Sequence, residues 1–120
     1  MGVINHNAVV ATTFSKGNLD KMMEWIKTIE VEKSHGGLDL KSLFVFGCGI
    51  VNDYHTMILL PDGSKEGWPE SKLGDSLRAM FVEKLNSLAY EDGSNPWSWV
   101  EVSFGEYGQT IVGGNNTMRY

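Results

Sequence analysis

The order of β-rich runs and amphipathic stretches predicts an α+β fold. It is a two-layer sandwich in which an antiparallel or mixed sheet of about four to six strands carries two helices on one face. Three observations predict it. Leu19, Met22, Met23, Ile26 and Ile29 recur at helical spacing, and so do Leu77, Met80, Phe81, Leu85 and Leu88, which marks two amphipathic helices. Around them lie short runs rich in β-branched and aromatic residues, the composition of strands. Most of these runs are joined by brief turn sequences, which favours antiparallel neighbours. The expected organisation is one domain over residues 1–120 with a short polar C-terminal tail.

Taken in order, Ala8–Phe14 reads as the first strand. Asn18 reads as an N-cap, with Asp20 in the first turn, for a helix from about Leu19 to Lys33 that ends at Gly36-Gly37. Leu43–Val51 is an almost unbroken apolar run with two glycines, expected as a central strand covered on both faces. Asn52-Asp53 turns it into a partner strand, His55–Leu60. Pro61-Asp62-Gly63-Ser64 is a second turn, after which residues 65–68 form a short edge that Pro69 ends. Ser71 or Asp75 caps the second helix, and Glu91-Asp92-Gly93 closes it.

Ser94-Asn95-Pro96 then opens the strand around which the chain is organised. From Trp97 the residues alternate. Ser98, Val100, Val102 and Phe104 share one face, which reads as core; Trp97, Trp99, Glu101 and Ser103 share the other. Gln109–Val112 is a short last strand before Gly113-Gly114-Asn115-Asn116. With the helices on one side, the sheet's other face is left apolar and uncovered, expected to carry Trp97, Trp99 and part of the Phe44/Phe46 run. That implies a homo-oligomer.

The formal net charge of −5 argues against a general DNA or RNA binder, which needs a basic surface to displace counterions. The single cysteine, Cys48, permits no intramolecular disulfide and reads as a small hydrophobe. The N-terminal residues do not resemble a signal peptide, and no stretch reads as a membrane span, so a cytoplasmic location is expected. His6, His35 and His55 are widely spaced and, with one cysteine, give no metal-site pattern. Gly47-Cys48-Gly49 starts like a dinucleotide fingerprint but lacks its third glycine and leads into a turn. No catalytic set assembles, and neither enzyme activity, a metal nor a cofactor is expected.

The polar and aromatic residues outside the helical stripes are the candidate ligand contacts. Trp68, Trp97 and Trp99 are positioned to stack a base, at about 1–3 kcal/mol per base. Arg78 and Arg119 are the chain's arginines and the candidate phosphate forks. Asn5, Asn115 and Asn116 supply neutral donors and acceptors that can read a base edge or ribose. Core burial or a subunit contact is the plain alternative for each tryptophan, and turn chemistry for each asparagine.

The segments Asn5–Thr13, Leu60–Trp68, Pro96–Glu101 and Gly114–Asn116, taken together over nearly the whole chain, resemble a family of small phage and prophage proteins. Such proteins include non-enzymatic counter-defence factors. One type is an oligomeric sponge that sequesters cyclic nucleotides or cyclic ADP-ribose derivatives made by bacterial immune systems. The resemblance implies a non-catalytic binder of a small nucleotide-derived signal in the cytoplasm of an infected bacterial cell. Two arginines are sparse for gripping several phosphates, a departure from that pattern. The alternative is a protein–protein inhibitor or adaptor docking through an aromatic, acidic surface.

Overall fold

A computed structural model describes residues 5–29, 40–63, 68–106 and 108–115. Five strands form one antiparallel sheet: β1 (Asn5–Thr13), β2 (Phe44–Cys48), β3 (His55–Leu59), β4 (Trp97–Gly105) and β5 (Gly108–Gly114). Two helices interrupt them, α1 (Lys16–Thr28) after β1 and α2 (Pro69–Ser87) after β3, with a short 3-10 turn at Leu40–Leu43. The spatial order is β2-β3-β1-β4-β5. The first six elements therefore follow the split β-α-β-β-α-β connectivity of ferredoxin-like sheets, and β5 extends the β4 edge by a hairpin. The α+β class and the two helices on one face are as the sequence predicts, and every pairing in the sheet is antiparallel.

The core lies between the helices and one face of the sheet. Leu19, Met22 and Ile26 of α1 and Leu77, Phe81 and Leu85 of α2 meet Val9, Ala11, Phe44, Met57, Leu59, Trp97 and Trp99. The Phe81 ring stands edge-on to Phe44 at a centroid distance of 5.2 Å. Full burial of such side chains contributes about 1.5–3 kcal/mol each, which favours placing the largest groups under the helices.

That preference reverses the expected faces of β4. Trp97 is 0% and Trp99 7% exposed, both in the core, while Val100, Val102 and Phe104 point to the side without helices. Alternation specifies two faces but not which is inner. With apolar groups on both, the two indoles bury more area than valines and so occupy the core.

β2 is also corrected. It is an edge strand, not a central one, and only Phe44 of it is buried. Cys48 is accordingly exposed. The hairpin to β3 turns through Asn52 (φ 63°) and Asp53 (φ 52°), residue types that tolerate the left-handed region.

The helix boundaries move too. α1 starts at Lys16, so Ser15 rather than Asn18 is its N-cap residue, and Asp20 lies beyond the first turn. Asn18 instead donates from Nδ2 to Thr13 Oγ1 at 2.9 Å. Pro69 opens α2 rather than ending a strand, since a helix's first N–H needs no partner, and Trp68 replaces Ser71 or Asp75 at the N-cap. α1 ends at Thr28, with Ile29 extended, short of the expected end at Lys33, while residues 30–33 and the edge at residues 65–67 fall outside the described residues.

α2 is tied to β4 by Asn95, which is 5% exposed. Its Nδ2 donates to Leu85 O at 2.7 Å and its Oδ1 accepts from Trp97 N at 2.9 Å. The connecting turn is fixed by Asp92, whose Oδ1 accepts from both the N and Oγ of Ser94. These bonds hold the Asp92 carboxyl below its ordinary pKa.

Candidate functional site

The face of the sheet away from the helices has no described element over it, and its chemistry is unusual for a surface. β1 contributes His6, Ala8, Val10 and Thr12; β4 contributes Ser98, Val100, Val102 and Phe104. β3 adds Thr56 and Ile58, and β2 adds Val45. On β5 a bulge opposite Glu101 and Val102 shifts the register and sets Ile111 opposite Val102. No Asp, Glu, Lys or Arg stands among these positions, in a chain whose charged fraction is 21%.

The register brings Ile58, Val10 and Val100 side by side in one row across β3, β1 and β4. These three are half-buried by their neighbours within the sheet, whereas Phe104 is 39% and Ile111 73% exposed at the rim. One end of the face is polar, where the Thr12 and Thr56 hydroxyls lie 2.9 Å apart. The other carries the His6 ring against Phe104, with centroids 5.2 Å apart. A shallow groove of about 730 Å³ runs where β1, β4 and β5 meet, past Val10, Thr12, Ser98, Val100, Ile111 and Val112. A second, of about 480 Å³, continues past Val102, Phe104 and Gln109.

Of the residues singled out as ligand contacts, Trp99 and Asn115 border the larger groove, and the other described ones do not gather on this face. Trp97 and Trp99 lie beneath the helices with both indole Nε1 atoms buried and unpaired. Asn115 lies at the end of β5, and its amide is spent on β4, donating to Trp97 O at 2.9 Å and accepting from Trp99 N at 3.0 Å. Asn5 is at the far end of the sheet, opposite Gly105, and donates to Ser103 Oγ at 2.6 Å. Arg78 is not an open phosphate fork: it is 6% exposed, 3.5 Å from Asp62 Oδ2 and bonded to Asp75. Trp68 is exposed at the start of α2. Asn116 and Arg119 lie outside the described residues.

Reasoning from sequence missed the open-face row, because Val100 and Val102 were placed in the core. It also missed the juxtaposition of Cys48 and His55, which pair across the β2–β3 hairpin. The Cys48 Sγ donates to Gly49 O at 3.3 Å. Among the described residues no group of three His, Cys, Asp or Glu is placed to hold a metal, and no helix is long and apolar enough to cross a membrane. Comparison with protein-family models, curated proteins and solved structures found no match.

Proposed function

We propose that this chain is a non-catalytic binding module that works through the open face of its sheet. The observation that carries this reading is the continuous apolar surface without a single acid or base other than His6, on a chain of net charge −5. A face that met only water would have no need to exclude charge from every strand, and apolar surface of this extent marks an interaction site. Its centre is neutral and β-branched, like the centre of a protein–protein interface, with hydroxyls, a histidine and the sheet edges at its rim.

The test uses the wild-type chain, Val100→Lys and Glu83→Lys as immobilised baits, Glu83 being an exposed residue of α2. Wild type and Glu83→Lys should retain the same partner at the same stoichiometry, a further copy of the chain included. Val100→Lys should lose it while keeping its circular dichroism spectrum. Equal retention by all three baits would overturn the reading, as would turnover of a substrate.

Capture of a nucleotide-derived signal is the second reading. It is favoured by the groove of about 730 Å³, which is within the size range of small-molecule sites and carries the Thr12 and Ser98 hydroxyls. No lysine or arginine lines that groove, so a ligand seated there would gain little through its phosphates. Native mass spectrometry with cyclic di- and trinucleotides and cyclic ADP-ribose isomers tests it. Intact ligand recovered after denaturation supports a sponge and the counter-defence role that goes with one; a converted product contradicts it.

A further inference from the structure

We infer that the occupant of the open sheet face is a second copy of this chain, so that two sheets stack face to face with the helices outermost. The inference rests on the binding-module reading above and names its partner.

Charge is the first support. The face contributes no acid and no strong base, while the exposed surface of α1 and α2 is charged throughout, with Asp20, Glu24, Asp75 and Glu83 interspersed with Lys16, Lys21, Lys27 and Lys72. A partner of opposite charge would find no counter-charge on the face itself. Two copies of a chain of net charge −5 meet without desolvating or opposing charged side chains through an uncharged surface, and this neutral face meets that condition. Stacking through it keeps the charged helix surfaces on the outside, in water.

Area is the second support. Five strands at about 4.8 Å spacing and about 3.3 Å per residue give a face on the order of 500 Å² in projection, and more with side-chain relief. That approaches the roughly 800 Å² per partner of a stable specific interface. Edge pairing through five-residue β2 would bury far less.

Shape is the third. The row Ile58–Val10–Val100 crosses the middle of the sheet on its central strand β1, with small Ala8 beside Val102 in the next apolar row. Alternating bulky and small side chains let two such faces interdigitate at the spacing of about 10 Å usual for stacked sheets. A two-fold axis near Val10 would set the row of one copy on the row of the other.

Sedimentation velocity over a concentration series tests this, with the wild-type chain, Val100→Lys at the centre and Phe104→Lys at the exposed rim. Phe104 is exposed enough to be replaced without unfolding the chain, so one variant remains informative if the other fails to fold. The wild type should sediment at twice the 13.3 kDa chain mass. Val100→Lys should raise the dissociation constant roughly a hundredfold or more, and Phe104→Lys by a smaller factor.

A wild-type dimer that neither folded variant weakens would overturn the inference by placing the contact elsewhere. A wild-type monomer at all concentrations would overturn it too. If a monomeric wild type still retained another protein that Val100→Lys lost, the binding-module reading would survive alone. If no such protein were retained, both would fall.

Discussion

Single residues close this structure in ways that their sequence neighbours conceal. Asn115 substitutes for one more residue of strand β5, meeting a carbonyl and an amide of β4 with one side chain. Asn115→Ala should therefore lower unfolding stability by about 1–3 kcal/mol, the cost of leaving such groups unpaired, read by urea denaturation. Its neighbour Gly114 lies so close to β4 that an added Cβ would sit 2.9 Å from Trp99 O, a backbone atom that cannot swing aside. Gly114→Ala should loosen the β4–β5 pairing, seen as faster amide exchange along β5. The pair reads in sequence as a polar turn, since its purpose depends on β4 lying alongside. Arg78 was equally opaque. Its partner Asp62 is remote in the chain, and only the fold brings the two together at 7% and 10% side-chain exposure. Arg78→Ala, which removes the guanidinium beside the buried Asp62 carboxylate, should cost about 3–5 kcal/mol by the same denaturation assay.

At the scale of elements, what could be read depended on whether the pattern had one solution. The helical stripes largely did: Leu19, Met22 and Ile26, and Leu77, Phe81 and Leu85, are buried where their spacing placed them, and Met23, expected in the α1 stripe, is exposed at 37%. β4 did not, because alternation leaves two mirror answers, and the volume of the indoles chose between them. β2 misled for another reason. An unbroken apolar run describes a strand covered on both faces, and here it marks an edge with Val45 and Phe46 exposed at 38% and 40%. The α2–β4 connection offers a pH test. Asp92 has its pKa lowered by its bonds to Ser94, so its stabilisation is present above the ordinary carboxylate range and is lost as pH falls through the depressed folded value. The stability difference between wild type and Asp92→Ala should hold steady from neutral pH down to about 5 and narrow in more acidic solution. A difference that widened with acid would contradict that assignment.

For the whole molecule, the fold class followed from element order, and so did the expectation that one sheet face lacks cover. The identity of that face did not, because it hung on the orientation of β4. Five of the eight candidate ligand contacts have structural duties: Trp97 and Trp99 serve the core, Arg78 an ion pair, Asn5 and Asn115 the sheet, with Trp99 and Asn115 also bordering the larger groove. The open face beside them is a surface defined by what it omits, and no short motif announces a missing charge spread over five strands. Carbene footprinting of the unmodified protein, read at Val10, Ile58, Val100 and Phe104, is the measurement to make. If the open face is the working surface, label uptake at these four residues should be low at high protein concentration and rise together on dilution, while uptake on the outer surface of α1 stays constant. Uptake that is high and independent of concentration, and unchanged when a retained partner is present, would show the face to be bare and would contradict its role.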